Sequence, residues 1–244
     1  MYLKNRCVLV TGGAHRVGKA ITMRLAKIGA DTIIFTYNSS EEAAKITEYE
    51  LSEFCPQAMA IRCDQSDISQ IRLTMETIKE RFGRLDVLVN SASVFLSAKF
   101  DTVTEDDWNT VMNVNARGPF FFMQMAAPLM KVNGAGCIIN IIDESVQKPA
   151  LSWIHHGASK SALWNLTKSA AIALAPDIRV NAILPGAVLK PPDWTDERWE
   201  RNINTIPLRR MGSAEDVCKA VEFIIQSDFV TGQAIVVDGG STVL

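Results

Sequence analysis

Two titratable side chains, His156 and Lys160, are spaced four residues apart in an apolar segment with helical periodicity. This spacing places both side chains on the same face of a helix. A lysine at the start of such an apolar helix needs a partner, because charged groups are rarely buried alone. Imidazole titrates near pH 6.5 when it is unperturbed, so His156 can exchange a proton near neutral pH. The chemistry open to this pair is proton transfer.

A third titratable group, Asp143, directly follows the apolar run that ends at Ile142. Ligands of open α/β sheets bind at the carboxyl ends of strands, which favours a functional carboxylate over a simple cap. At neutral pH the imidazole of His156 is expected to be uncharged unless Asp143 holds its proton. For His156 itself, a chemical role and a purely structural place at a helix start are both open. No Cys, His and Asp cluster has the ligand spacing of a zinc site.

A glycine-rich turn follows the first apolar strand and carries two competing motifs. Gly13 to Lys19 fits G-x-x-x-x-G-K, but Ala20 stands where a phosphate loop needs a hydroxyl for Mg²⁺. The alternative is a dinucleotide turn, in which Gly12 allows the tight bend and Gly18 lets the helix pack on the strand. The free N–H groups of that helix would hold a pyrophosphate. The second interpretation is favoured.

The residues after the second predicted strand bear on the cofactor. Sites that prefer NAD usually place a carboxylate here, which holds the ribose 2′-hydroxyl. The segment Asn38-Ser39-Ser40 has none, and the first acid is Glu41. Hydroxyl and amide groups, with His15 and Arg16 nearby, favour a 2′-phosphate. The predicted cofactor is therefore NADP(H).

Short β-branched runs alternate with longer helical patterns along the whole chain. The predicted strands are Cys7–Thr11, Thr32–Thr36, Ala58–Cys63, Val87–Asn90, Cys137–Ile142, Arg179–Leu184 and Ala234–Val237. The predicted helices are Arg16–Ile28, Glu41–Glu53, Ile68–Arg81, Glu105–Met130, Gly157–Leu174 and Ala214–Ile225. Apolar residues cover both faces of most strands, which indicates a parallel sheet between two helical layers. The right-handed crossover rule then predicts one doubly wound α/β domain spanning residues 1–244.

One irregular segment, residues 186–210, is rich in Pro, Trp and charge. Loops of this length inside a compact domain are usually functional, so we predict a lid over the site. Its Trp194 and Trp199 either contact substrate or pack against the body of the domain, and packing is the favoured alternative.

Composition limits the classes of function. Hydrophobic residues make up 48% of the 244 residues and charged residues 21%, and the net charge is −2. This balance gives no electrostatic attraction to nucleic acid or anionic membranes. The five cysteines are widely spaced and odd in number, which predicts reduced thiols. The N-terminus lacks a signal-peptide pattern, and no apolar run is long enough to span a membrane. A cytoplasmic protein with a small-molecule substrate is expected.

Seven segments in the right order resemble the short-chain dehydrogenase/reductase family over essentially the whole chain. They are Thr11-Gly12-x-x-x-Arg16-x-Gly18, Asp64, Leu88-Val89-Asn90-Ser91-Ala92-Ser93, Asn115 in Asn113-Val114-Asn115, Arg179-Val180-Asn181, Pro185-Gly186 and Val237-Asp238-Gly239-Gly240. The catalytic signature of that family is Tyr-x-x-x-Lys preceded by a serine. Lys160 matches the lysine, but His156 stands at the tyrosine position and Asp143 at the serine position.

The pteridine reductase branch of the family shares part of this departure. Its turn has an arginine like Arg16, its fourth strand is followed by a motif similar to Ala92-Ser93-Val94-Phe95, and it has an aspartate at the position of Asp143. That resemblance implies that Arg16 and Phe95 cradle a flat pterin against nicotinamide. The alternative for Phe95 is a simple core residue. The branch keeps the tyrosine, so His156 remains a difference.

The resemblance assigns roles residue by residue. The implied cofactor residues are Gly12, His15, Arg16, Val17, Asn38, Ser39, Asp64, Gln65, Asn90, Ser91, Ala92, Lys160, Pro185, Gly186 and Val188. The implied substrate residues are Arg16, Phe95, Asp143 and His156. Lys160 would order the ribose, Asn115 would anchor a water relay, and Asp143 with His156 would manage the proton. No metal is expected.

The expected function is NADPH-dependent reduction of a carbonyl or imine, on a substrate that could resemble a pterin. The alternative is a non-catalytic NADP(H)-binding sensor or partner subunit, favoured by the missing tyrosine and opposed by the retained Lys160 and Asn115. A phosphate-loop kinase is a more distant alternative. The family resemblance also implies a homotetramer built from the segments Glu105–Met130 and Gly157–Leu174, which are apolar on more than one face.

Overall fold

The computed structural model describes residues 1–190 and 194–244. Its centre is one seven-stranded, fully parallel sheet with the order β3-β2-β1-β4-β5-β6-β7. The strands are β1 (Cys7–Thr11), β2 (Thr32–Tyr37), β3 (Gln57–Arg62), β4 (Val87–Asn90), β5 (Gly136–Ile141), β6 (Ile178–Pro185) and β7 (Ala234–Val237). All seven predicted strands are present with ends shifted by at most one residue, and the doubly wound α/β prediction is confirmed.

Helices cover both faces of the sheet. They are α1 (Arg16–Lys27), α2 (Glu41–Leu51), α3 (Ile68–Phe82), α4 (Glu105–Met112), α5 (Gly118–Lys131), α6 (Ile154–Ala173), α7 (Asp196–Asn202) and α8 (Ala214–Gln226). One core lies between the sheet and α1, α2 and α8, and the other lies between the sheet and α3, α5 and α6. The five inner strands therefore bury side chains on both of their faces, which explains their uninterrupted apolar runs, whereas the edge strands β3 and β7 are only partly buried.

The prediction of one continuous helix over Glu105–Met130 is wrong. The structure divides it into α4, a π-helical turn at Asn113–Arg117, and α5. Pro119 has no N–H, so the backbone carbonyl four residues earlier loses the donor that a continuous α-helix would give it. The widened turn holds Asn115, and single π turns are frequent at functional sites.

Two further boundaries differ from the sequence prediction. Helix α6 begins at Ile154 rather than Gly157, so His155 and His156 lie inside its first turn. The segment predicted as an irregular lid contains α7, whose N-cap Thr195 accepts a hydrogen bond from the backbone N–H of Arg198 at 3.2 Å. Residues 191–193 of that segment lie outside the described residues.

Two classes of site receive no support in the described part of the chain. No helix there is both long and apolar enough to cross a bilayer. No three His, Cys, Asp or Glu side chains of those residues group as metal ligands would. All five cysteines are buried and unpaired thiols.

Candidate active site

The sheet reverses its winding direction between β1 and β4, which are neighbours in space. At this point the turn after β1 bends back through Gly12, whose φ of 66° is the left-handed conformation that glycine adopts most easily. A Cβ at Gly12 would lie 2.8 Å from Cα of Ala92, and one at Gly18 would overlap the carbonyl oxygen of Gly12. Both glycines are therefore required for the close approach of the turn, α1 and β4.

Arg16 occupies the left-handed region of backbone conformation, with φ of 54°. In the family motif this position is a glycine, so the arginine keeps the backbone shape that glycine usually supplies. Its Nη2 donates to the carbonyl oxygen of Lys190 at 3.3 Å. The side chain thus connects the glycine turn to the segment that follows β6.

A cavity of about 420 Å³ opens at the carboxyl ends of β1, β2 and β4. Eleven of the fifteen predicted cofactor residues line it: Gly12, His15, Arg16, Val17, Asn38, Ser39, Asp64, Gln65, Ser91, Ala92 and Lys160. Ser40, from the hydroxyl and amide segment after β2, also lines it, as do Ala14, Ser93 and Val94, which were not predicted as cofactor residues. This position matches the rule that ligands of doubly wound sheets bind where the strand order reverses.

The chemistry of this cavity fits a dinucleotide. The side chain of His15, the N-cap residue of α1, makes no capping hydrogen bond within the described residues, so the first N–H groups of the helix are available to a pyrophosphate. The first acid after β2, Glu41, pairs with Lys45 at 2.9 Å and is not part of the lining. Lys19, which the phosphate-loop alternative requires, pairs instead with Glu50 of α2 at 2.9 Å. The kinase alternative therefore loses its lysine as well as its hydroxyl.

A second cavity of about 470 Å³ adjoins the first. The two share Arg16, Val17, Phe95, Ile142, Asp143 and His156 as common lining residues. Pro185, Gly186 and Val188 line this second cavity rather than the first. All four predicted substrate residues thus lie on the wall between the two cavities.

Aromatic rings form one side of the second cavity. Phe95 stacks on Trp153 with centroids 5.1 Å apart, and Trp153 lies 6.3 Å from Trp194. The ring centroid of Trp194 in turn lies 6.2 Å from that of Trp199. Phe95 is 45% exposed, so the alternative of a core residue is wrong. Both lid tryptophans pack on the aromatic wall and also line the cavity, which reconciles the two alternatives predicted for them.

His156 of α6 is buried beside Asn115, the middle residue of the π turn. Its Nδ1 lies 3.2 Å from the carbonyl oxygen of Val94 and 3.3 Å from Nδ2 of Asn115. Asn115 also donates to Val94 at 3.0 Å and to Oγ of Ser159 at 3.2 Å. The side chain of Asn115 therefore ties α6 to the loop after β4, and it lies behind the wall of both cavities.

The charge of His156 follows from its burial. Desolvation and the nearby charge of Lys160 lower the pKa of the imidazole from 6.5 to about 4, against the opposing charge of Asp143. The sequence left open whether Asp143 would keep the ring protonated. In the structure it does not, and His156 is neutral at physiological pH.

Lys160 is 3% exposed and donates from Nζ to the carbonyl oxygen of Ile141 at 3.0 Å. Burial lowers its pKa from 10.5 to about 8, with the charge of Asp143 acting in the opposite direction. Asp143 itself accepts from the backbone N–H of Ser145 at 2.8 Å, so it caps a short 3₁₀ turn as well as lining both cavities. One lysine and one carboxylate thus flank the uncharged imidazole.

The structure places two predicted residues outside the cavity walls. Asn90 donates to Oδ1 of Asn140 at 2.8 Å inside the sheet. Asn115 is fully buried behind the loop that holds Val94. Neither side chain is among the residues that line the two cavities.

Sequence reasoning missed several residues of the second cavity, among them Trp153, Glu144 and Lys148. Burial, together with the charges of Asp143 and Asp238, raises the pKa of the Glu144 carboxyl, and a hydrogen bond with Ser241 opposes this shift. A signal existed for Trp153, since it lies two residues before the His155-His156 pair. Nothing in local spacing indicated that Lys148 would contact the C-terminal Ser241, whose carbonyl accepts from it at 3.0 Å.

Comparisons with known proteins agree with this geometry. The sequence profile of the family described as enoyl-(acyl carrier protein) reductase matches residues 12–242. The 3-oxoacyl-(acyl-carrier-protein) reductase FabG of Thermotoga maritima is 32% identical and aligns over 98% of this chain and 99% of its own.

Solved structures show the same architecture. The blue fluorescent protein from a metagenomic library, in complex with NADPH, has a TM-score of 0.91 at 34% identity and covers 99% of both chains. The FolM alternative dihydrofolate reductase 1 of Brucella suis, in complex with NADP, has a TM-score of 0.93 at 32% identity. That alignment covers 100% of this chain and 97% of the other. With its fold, its glycine turn and these relatives, the chain belongs to the short-chain dehydrogenase/reductase family.

Proposed function

We propose that this chain is an NADP(H)-dependent oxidoreductase that reduces a carbonyl or imine group of a flat small molecule. The observation that carries the proposal is the wall shared by the two cavities. A ligand in the aromatic cavity would meet the end of a dinucleotide at Phe95, Asp143 and His156. Two solved relatives were crystallised with NADPH or NADP, which supports the same cofactor here.

Residues of the chain have distinct proposed roles. When bound, the dinucleotide supplies a hydride. The ammonium group of Lys160 would donate to the ribose hydroxyls, and the free N–H groups of α1 would hold the pyrophosphate. Phe95 and Trp153 would stack against the substrate ring. This stacking would hold the plane of that ring in one orientation. Asn115 would keep the π turn in place beside a water relay.

A pterin-like substrate is the finer part of this proposal. Arg16 and Phe95 match the residues that cradle the pterin in the pteridine reductase branch, Asp143 matches the aspartate of its proton relay, and all three line the shared wall. The solved relative from Brucella suis is called an alternative dihydrofolate reductase. The neutral state of His156 favours the second candidate function, a non-catalytic NADP(H)-binding protein.

A substrate panel separates these candidates. Dihydropterins, quinones and ketoacyl thioesters are each mixed with the protein and NADPH, and loss of absorbance at the reduced-cofactor band is followed. Turnover of one class supports the reductase and names the class. Tight NADPH binding without turnover of any compound supports the binding protein instead.

Cofactor preference gives the first prediction. NADPH is expected to bind at least about 10-fold more tightly than NADH, because hydrogen bonds to a charged phosphate are strong. Asn38→Asp places a carboxylate in the lining and should reverse the preference. Both dissociation constants are measured by fluorescence titration. Glu41→Gln changes an acid outside the cavity and should leave them unchanged. A wild-type preference for NADH would contradict the prediction.

Assembly gives the second prediction. Large apolar side chains of α4, α5 and α6 are exposed, including Trp108 at 43%, Phe120 at 38% and Ile172 at 81%. We propose that these helices pack against other copies of the chain in a homotetramer. Light scattering should give about four times the chain mass of 26.9 kDa. Phe120→Glu should lower the mass measured by light scattering. Leu73→Glu, at an exposed side chain of α3, should leave that mass unchanged. A wild-type monomer is the contrary result.

A further inference from the structure

The imidazole of His156 is surrounded by groups whose hydrogens can be assigned. Oδ1 of Asn115 accepts from the backbone N–H of Val94 at 2.9 Å, which fixes the orientation of that amide. Its Nδ2 is therefore a donor with two hydrogens. Two acceptors already match them, the carbonyl oxygen of Val94 at 3.0 Å and Oγ of Ser159 at 3.2 Å.

This arrangement selects one tautomer of His156. A bare Nδ1 would direct its lone pair at the lone pairs of the Val94 carbonyl oxygen, 3.2 Å away. It would also be a third acceptor for the two hydrogens of Asn115. With the proton on Nδ1, the ring donates to Val94 and both conflicts disappear. The neutral ring then carries its lone pair on Nε2.

Nε2 is buried and has no hydrogen-bond partner among residues 1–190 and 194–244. His156 is only 3% exposed and belongs to the wall shared by both cavities. The site therefore offers a ligand an acceptor at the position where the family offers a phenol donor. A ketone oxygen brings only lone pairs to this atom, whereas the N–H of a protonated imine brings a donor.

We infer that the substrate is a protonated imine whose N–H group donates a hydrogen bond to Nε2 of His156. This rests on the proposed function, since it names the substrate class of the same site. The imine carbon accepts a hydride, with reduced dinucleotide as the source. The π electron pair of the C=N bond becomes the lone pair of a neutral amine. The proton on nitrogen stays in place, so the step needs no acid from the protein.

The charges around the ring agree with this assignment. Asp143 lines both cavities and gives a cation a negative neighbour. Lys160 lines the first cavity only, and among residues 1–190 and 194–244 His155 is the other titratable group whose charge acts on the ring. Because burial lowers the pKa of His156 to about 4, the ring is a weak base and leaves the proton on the substrate.

A matched pair of ligands tests the contact without turnover. Protonated 3,4-dihydroisoquinoline and its N-methyl iminium carry the same charge and ring, but only the first has an N–H. Binding to the protein loaded with NADP⁺ is measured by quenching of tryptophan fluorescence. The N–H compound should bind at least about 10-fold more tightly. Equal affinities, or tighter binding of the neutral ketone 1-tetralone, would overturn the inference.

Two variants locate the effect at His156. His156→Phe removes the acceptor and should bring the affinity ratio of the two iminium ligands to about one, whereas His156→Gln keeps an acceptor oxygen and should retain part of it. A ratio in His156→Phe equal to that of the wild type would assign the preference elsewhere and overturn the inference.

The tautomer is also measured directly in the wild-type protein. With ¹⁵N-labelled histidine, long-range proton–nitrogen NMR correlations distinguish Nδ1–H from Nε2–H in each of the three histidines. Nδ1–H is expected for His156 between pH 6 and 8, and Nε2–H or a charged ring would overturn the inference. Failure of the reductase proposal is recognised separately, as absence of turnover with NADPH.

Discussion

Gly18→Ala is expected to abolish NADPH binding and to lower the free energy of unfolding by about 3 kcal/mol. A Cβ at this position overlaps the carbonyl oxygen of Gly12 and approaches Cα of Gly13 to 3.3 Å. The obstacle is backbone rather than a flexible side chain, so the methyl group can be accommodated only if α1 moves away from the turn. That movement displaces the free N–H groups that would hold the pyrophosphate.

Gly157→Ala is the matched control for this substitution. Gly157 is also helical, but the three atoms nearest to a Cβ there all belong to Ser145 and lie at the ordinary contact distances of 3.6 to 4.0 Å. Alanine should leave stability equal or raise it by about 0.5–1 kcal/mol, since it favours helix more than glycine does. Urea unfolding and NADPH titration measure both variants. An unchanged unfolding midpoint and cofactor affinity in Gly18→Ala would show that the glycine is not required.

Much of the fold could be predicted because local sequence determines it. Most of the strands are apolar on both faces, so their buried runs are visible, and their ends are marked by polar residues and glycines. Gly12 and Gly18 are required by contacts within the turn and with the strand beside it. The four-residue spacing of His156 and Lys160 predicts one shared helical face, although the predicted helix began only at Gly157 and the structure extends it back to Ile154.

Other features depend on contacts between distant segments. The aromatic wall joins Phe95, Trp153 and Trp194, which come from three separate parts of the chain. The neutral state of His156 depends on its burial and on Lys160, and periodicity gives neither quantity. The π turn was missed because its residues have an ordinary helical pattern.

Lys160→Met is expected to reduce activity by at least about 100-fold while making the cofactor-free protein more stable. The activity is lost because misplacement of a bound reactant by about an ångström can remove that much rate. The stability rises because a buried ammonium with one carbonyl partner is replaced by an apolar side chain of similar length. The gain at neutral pH should be about 1–3 kcal/mol, with the upper end set by the lowered pKa of the buried ammonium.

The pH dependence of the free energy of unfolding tests whether the buried charge of Lys160 causes this difference in stability. The pKa of Lys160 is about 8 in the folded protein and near its ordinary 10.5 in the unfolded chain. Between these values the unfolded chain binds one more proton, so wild-type stability should rise with pH across this window. The full difference corresponds to about 3 kcal/mol. Lys160→Met should lack this rise, which urea unfolding at pH 7, 9 and 10.5 would reveal.

Deprotonation of Lys160 should also lower the activity at alkaline pH. Lys160 donates to the ribose best while it is charged, and this charge is lost as pH rises through about 8, so the wild-type rate should fall there. Lys168→Met is the matched control on the same helix, because Lys168 is exposed and lies over the ring of Trp164. This substitution should change neither the activity nor the pH range over which stability rises.

Full activity in Lys160→Met would remove the lysine from the mechanism. A loss of stability at neutral pH would show that its hydrogen bond to Ile141 outweighs the cost of burying its charge.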